Sequence, residues 1–281
     1  PSSERRKAGV PPCRQALSLA EIQARVLRII AGNRSPESYL AGATVLHQAE
    51  DTPRFSQGLD LFHDLAESVA LCAEADAVTL REAGFDVRWL LQRPTFYRAV
   101  ATIEGEELKL EWAQDSAFRF FPLEQDDQCG WRLHFADAAV NKVLALAGRD
   151  EIRDLVDILH IHDTYLQLGT LAWAGCGKDP GFTPAFLLDQ AGRHAAFTQA
   201  DLDRLDLREP LDLTDMKRRW LAATEQAHEL VNSLPAEELG CLFVDAEGVP
   251  VTPDPRSSGF ADLTRHHGCI RGAWPRILRR E

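Results

Sequence analysis

The sequence predicts an α/β fold in two parts, a helix-flanked mixed sheet followed by a helical domain. Two observations carry this. Between about 36 and 136, short runs rich in branched and aromatic residues alternate with turn signals, whereas beyond 136 apolar residues recur almost only at helical spacing. With 281 residues, 45% of them hydrophobic and 26% charged, the chain can bury a real core, so disorder and fibrous classes are excluded.

The elements follow in order. Residues 1–35 read as an arm and a first helix, because Leu17, Ile22, Val26, Leu27 and Ile30 keep helical spacing and Gly32-Asn33 supply a stop. Tyr39 to Ala41 reads as a strand, and Gly42-Ala43-Thr44 turns it into a short helix towards Glu50. Leu59-Asp60-Leu61-Phe62 is a second strand, Leu65 to Ala83 a helix ended by Gly84. Phe85 to Leu91, Phe96 to Ile103 and Leu108 to Trp112 are strands, with Glu104-Gly105 at a hairpin turn, and Trp131 to Phe135 is one more. Asp137 is a plausible N-cap for the helices that begin with Val140. The core therefore spans 36–136 and a helical C-terminal domain 137–281, with a small hairpin near 239–251 and a basic tail that includes Arg265, His266, His267 and Arg271.

Charge and cysteine usage narrow the function. A net charge of −12 argues against a surface that coats nucleic acid, though it allows a local basic cleft. The six cysteines never fall within four residues of one another, so no zinc knuckle or Cys-x-x-Cys pair can be written. No apolar run approaches the roughly 18 residues of a membrane span, and Arg5-Arg6-Lys7 precede no apolar signal core; the expectation is a cytoplasmic protein. Walker, Rossmann and Gly-x-Ser-x-Gly patterns are absent.

The residues with chemistry lie mainly in the first half. The turn Gly42-Ala43-Thr44 would aim backbone N–H groups at a phosphate, or is simply a helix start that needs small residues. Asp60 is an expensive carboxylate in an apolar strand unless it meets a metal or hydrogen-bond donors. Period two puts Lys109 and Glu111 on one face of their strand. Carboxylates on adjacent strands beside a phosphate-cradling turn suit magnesium-assisted nucleotidyl transfer; as solvent-facing residues of half-exposed strands they need no function. Further on, Lys142, Ala145 and Arg149 share one helix face, and Arg153, Asp154 and Asp157 another, a pattern that also suits an ordinary ion-pair network.

Taken in order, Leu40 to Leu46 (LAGATVL), Arg54-Phe55-Ser56-Gln57-Gly58-Leu59-Asp60-Leu61-Phe62, Lys109-Leu110-Glu111, Lys142 to Arg149 and Arg153-Asp154-x-x-Asp157 resemble the AbiEii nucleotidyltransferases. That family includes type IV toxin-antitoxin toxins and the MenT toxins of mycobacteria. The resemblance spans roughly residues 38 to 190. It implies a polymerase-beta-like core and an enzyme that moves NMP from an NTP to an RNA acceptor, tRNA foremost, with Mg2+ and with an antitoxin protein as a partner. Carried across, Asp60 and Glu111 would be the metal ligands, with Asp60, Glu111, Lys142 and Asp157 as the catalytic set. Gly42, Ala43, Thr44, Arg54, Ser56, Arg153 and Asp154 would bind the nucleotide. The chain departs from the family at Ala43, a tolerable change, and at Gly58, which stands where the first Asp of an Asp-x-Asp metal motif is expected. Asp64 or Asp51 supplying the missing oxygen, a nucleotide-binding pseudoenzyme, and a substitution introduced to detoxify the chain are three explanations that the sequence leaves open.

Overall fold

Alternating burial along one central strand positions everything that follows. In the computed structural model, which describes residues 19–47, 52–193 and 197–277, Gly58–His63 is buried at every second residue. Its Leu59, Leu61 and His63 point into the core while Gly58, Asp60 and Phe62 reach an open cleft.

The sheet half is α1 (Leu19–Ile30), β1 (Ser38–Ala41), α2 (Gly42–Leu46), β2 (Gly58–His63), α3 (Ala66–Glu82), β3 (Asp86–Arg93), β4 (Phe96–Ile103), β5 (Glu106–Gln114), β6 (Phe118–Arg119), β7 (Glu124–Asp126) and β8 (Gly130–Arg132). Seven of these strands form one mixed sheet in the order β3-β4-β5-β2-β1-β8-β7. β2 runs parallel to β5 and antiparallel to β1, so Asp60 is level with Glu111 on one side and Ala41 on the other. Helices α1 and α3 pack on the back of the sheet. There, buried Asp76 receives both Nη2 contacts of Arg34 (2.5 Å) and the Trp112 indole N–H (2.7 Å), which ties α3 to β5.

The helical half comprises α4 (Phe135–Gly148), α5 (Ile152–Thr164), α6 (Leu168–Lys178), α7 (Pro184–Ala191), α8 (Gln199–Leu202) and α9 (Leu213–Ser233). α4 packs on α2, α5, α6 and α7 at once, and so joins the bundle to the Gly42-Ala43-Thr44 turn. Three short strands end the chain: β9 (Cys241–Val244), β10 (Thr264–His267) and β11 (Cys269–Ile270). No helix among the described residues is long and apolar enough to cross a membrane.

Four local expectations are corrected. Phe135 opens α4 instead of ending a strand, and the N-cap is His134, whose Nδ1 accepts from the Ala136 N–H at 3.2 Å. Asp137 lies inside the first turn, where its carboxylate accepts from the Phe120 and Phe121 N–H groups (2.9 Å each) and pairs with Lys178 (2.7 Å). The chain does turn at Glu247-Gly248, with Val251 N–H donating to the Phe243 carbonyl, but the strand that pairs with β9 is β10, further along the chain. The basic stretch is accordingly folded: Arg265 and His266 lie in β10, and β11 pairs with β6 of the first half. Helix α2 stops at Leu46, and residues 48–51, Asp51 among them, lie outside the described residues, as do the N-terminal arm, Cys13, Arg279 and Arg280.

Candidate active site

A cleft of about 280 Å³ opens between the front of the sheet and the N-terminal part of the helical half. The turn after β1 forms its floor. Gly42 has φ +66°, a conformation that suits glycine, and a Cβ there would lie 2.0 Å from Asp60 Oδ2. The glycine thus serves the carboxylate: it lets the chain turn while Asp60 lies against its backbone. Gly42 and Ala43 line the cleft, whereas Thr44 faces inward, its hydroxyl donating to the Gly58 carbonyl (3.0 Å) beside the Ser56 hydroxyl, which donates to the same oxygen (2.9 Å). Thr44 and Ser56 therefore pin the entry to β2.

Asp60 and Glu111 sit side by side on β2 and β5, and both reach the cleft. Burial, reinforced by the Glu111 charge, pushes the Asp60 carboxyl up to about 6. Burial pushes Glu111 the same way, but Lys109, the Asp60 hydrogen bond and Arg98 outweigh it and hold Glu111 below the usual carboxylate range. Lys109 Nζ is 3.2 Å and Arg98 Nε 2.7 Å from Glu111 Oε1. Among the described residues no ion pair forms with Asp60, and the Lys142 and Lys109 charges that act on it from further away only partly offset its burial.

The opposite wall is cationic. Arg54, Lys142, Arg149 and Arg153 all line it. Two buried acids behind the wall organise them. Asp157 accepts from Arg54 Nε (2.7 Å) and Nη2 (2.6 Å) and lies 3.0 Å from both His47 Nε2 and Lys142 Nζ. Asp154 receives Lys142 Nζ (2.8 Å) and Arg149 Nε (2.7 Å). Burial alone would raise both acids, yet these cations hold Asp154 below its ordinary value and Asp157 far below it. Burial keeps His47 on the neutral side of its usual value despite Asp157.

The expected residues thus divide. Gly42, Ala43, Arg54, Ser56, Asp60, Glu111, Lys142 and Arg153 line one cleft; Thr44, Asp154 and Asp157 lie behind it and act through the groups they hold. Asp64 cannot complete the carboxylate set, because both its oxygens accept from Arg119 (2.9 and 2.8 Å) away from the cleft. Lys109 and Arg149 prove to be lining residues, and Arg98 and His47 to be supporting ones. Arg149 follows α4 as its extended C-cap, not on the helix face expected from Lys142; nothing in the linear sequence pairs Arg98 with Glu111, because that register is set by the β4–β5 hairpin.

The architecture matches known proteins. MenT4, a nucleotidyltransferase toxin from Mycobacterium tuberculosis, overlays with a TM-score of 0.56 at 18% identity, over 78% of this chain and 84% of that one. The chain has a nucleotidyltransferase fold. JHP933 from Helicobacter pylori also overlays, with a TM-score of 0.49 at 19% identity, over 77% of this chain and 95% of that one. No family model and no curated protein matches the sequence. In the nucleotidyltransferase fold of this chain, the strand carboxylates and the cationic helix wall face each other across the cleft.

The donor chemistry fits a magnesium ion brought with a nucleotide. Mg2+ takes hard oxygen ligands and is commonly held by one or two carboxylates plus substrate phosphates. Asp60 and Glu111 supply two such oxygens, and the burial that raises Asp60 is what an external cation would offset.

Proposed function

We propose that the protein is a nucleotidyltransferase that moves an NMP from an NTP to a hydroxyl of an RNA acceptor, with tRNA the first candidate, and that it acts as the toxin of a toxin-antitoxin pair. The observation that carries this is the facing of Asp60 and Glu111 by Arg54, Lys142, Arg149 and Arg153 within one cleft of nucleotidyltransferase fold. A triphosphate needs positive charge along its length and a hard cation at the reacting phosphorus.

In this reading Arg54, Lys142, Arg149 and Arg153 bind the phosphates, with the backbone at Gly42-Ala43 beside them. Asp157 keeps Arg54 and Lys142 aimed at the cleft, and Asp154 does so for Lys142 and Arg149. Magnesium, held through Asp60 and Glu111, would supply charge neutralisation between the phosphates and the carboxylates. The acceptor oxygen forms its bond to the α-phosphorus, the bond from that phosphorus to the bridging oxygen breaks, and pyrophosphate leaves; one carboxylate of the pair takes the proton of the attacking hydroxyl. The net charge of −12 is compatible with RNA binding because the cations are concentrated in the cleft.

Transfer of α-labelled NTPs to total tRNA with magnesium tests this. Activity is expected in the chain as it stands and its loss, by at least about 10³-fold, in Asp60→Asn with the fold retained; an Asp60→Asn variant of full activity would refute the assignment. Gly58 favours a second reading, a nucleotide- or RNA-binding protein without catalysis. That reading expects nucleotide binding that is largely indifferent to magnesium and no transfer to any RNA.

A further inference from the structure

Gly58 and Lys109 face each other across the parallel strands β2 and β5, and both line the cleft. Gly58 shares its strand face with Asp60, two residues on. A side chain at 58 would enter space that Lys109 already fills: a Cβ there would stand 2.8 Å from the Lys109 carbonyl oxygen, 3.2 Å from its Cε and 3.3 Å from its Cβ. The lysine stem lies over the glycine, and its ammonium ends 3.2 Å from Glu111 Oε1. The position that lacks a carboxylate is therefore covered by a cation from the neighbouring strand.

The charges show what the exchange does. Paired divalent ions in phosphoryl chemistry stand about 3.5–4 Å apart and clamp the attacking and leaving oxygens. Each Mg2+ also demands a near-octahedral oxygen shell. Among the described residues no group of three or more acids, histidines or cysteines is placed to hold a metal, so the cleft offers Asp60 and Glu111 alone. Glu111 already has Lys109 and Arg98 as partners, while Asp60 has no ion pair among the described residues. With both acids ionised the two carboxylates and the two cations sum to zero, so the set has room for one external cation beside Asp60, and a second would meet the ammonium.

Resting on the reading of this cleft as a nucleotide site, we propose that the Lys109 ammonium, laid over Gly58 and paired with Glu111, takes the place of one divalent cation, so that the triphosphate binds with a single metal ion. Gly58 is then a requirement of the lysine, not a lost ligand. Gly58→Asp drives a Cβ against the Lys109 backbone and lowers activity instead of restoring it.

The test counts metal ions on the full-length chain. Mn2+ is titrated by electron spin resonance in the presence of a saturating, non-hydrolysable NTP analogue, with analogue binding followed separately by calorimetry. One bound Mn2+ is expected for the wild type and for Lys109→Arg. Lys109→Met should bind a second ion, and without nucleotide its Mn2+ affinity should rise about tenfold as the repelling charge leaves. Two ions on the wild type, or a Lys109→Met chain with one ion and unchanged affinity, overturn the proposal while leaving the nucleotide site intact. Failure of the wild type to bind the analogue at all removes the nucleotide reading itself, and the proposal with it.

Discussion

Each wall of the cleft has two carboxylates on or behind it, and Asp60 on the strand side bears its buried negative charge differently from the other three. On the helix side Asp154 and Asp157 are fully surrounded by Lys142, Arg149, Arg54 and His47, and they titrate below their ordinary range. On the strand side Asp60 has no ion pair among the described residues and titrates near 6. An acid that the protein neutralises itself is a positioning device, whereas one left short of cations in an open cleft is suited to receive a charge from outside. The same comparison assigns Asp157, a catalytic candidate from sequence, to the support of Arg54 and Lys142.

Neutralising one acid on each wall has the largest expected effect. Asp60→Asn should abolish transfer without loss of stability. Asp157→Asn should destabilise by about 3–5 kcal/mol, because Arg54 is left buried without its anion, while Lys142 keeps Asp154. Chemical denaturation of the two variants checks this, and an Asp157→Asn chain as stable as the wild type would remove the distinction between the walls.

The back face of β2 gives the next largest effect. Burial, with the Arg34 charge nearby, pushes His63 down to about 4, so it stays neutral in the folded chain at pH 7. Between the unfolded value near 6.5 and about 4 the unfolded chain binds the extra proton. Stability contributed above pH 6.5 is thus lost as pH falls, by about 3 kcal/mol at pH 4. His63→Leu should flatten that part of the stability curve relative to the wild type; identical curves would show that His63 does not carry it.

Gly42→Ala sharpens the account of the strand wall. Its Cβ would meet Asp60 Oδ2 at 2.0 Å in a left-handed backbone, so the carboxylate must move. A displacement of that size should lower transfer about 10²-fold. Arg98→Met is the mildest probe: Arg98 is 41% exposed, and its pair with Glu111 should be worth less than about 1 kcal/mol in thermal unfolding.

Much of the fold was legible because period and punctuation act locally. The alternation in Leu59-Asp60-Leu61-Phe62 marked β2 and gave Asp60 its face, and Glu104-Gly105 marked the β4–β5 turn, both residues having positive φ. Helical spacing marked α4 and placed Lys142 on it, but Arg149, expected on the same helix face, is the extended C-cap that follows the helix. The errors arose where distant chain decided the structure. Asp137 reads as a cap, but Phe120 and Phe121 lend it their N–H groups from 17 and 16 residues away. The basic C-terminus reads as a tail, but β10 finds β9 and β11 finds β6.

By itself, then, the sequence determined the alternation, the turns and the inventory of charges, because these follow from side-chain period and backbone preference over a few residues. Tertiary structure alone decided which charges meet. Parallel pairing of β2 with β5 sets Gly58 against Lys109 and Asp60 against Glu111, and packing of α4 and α5 gives Asp157 its cations while Asp60, among the described residues, has none within ion-pair distance. Whether a carboxylate is support or site depends on the balance of charge within a few ångströms, and that balance exists only once the chain has folded.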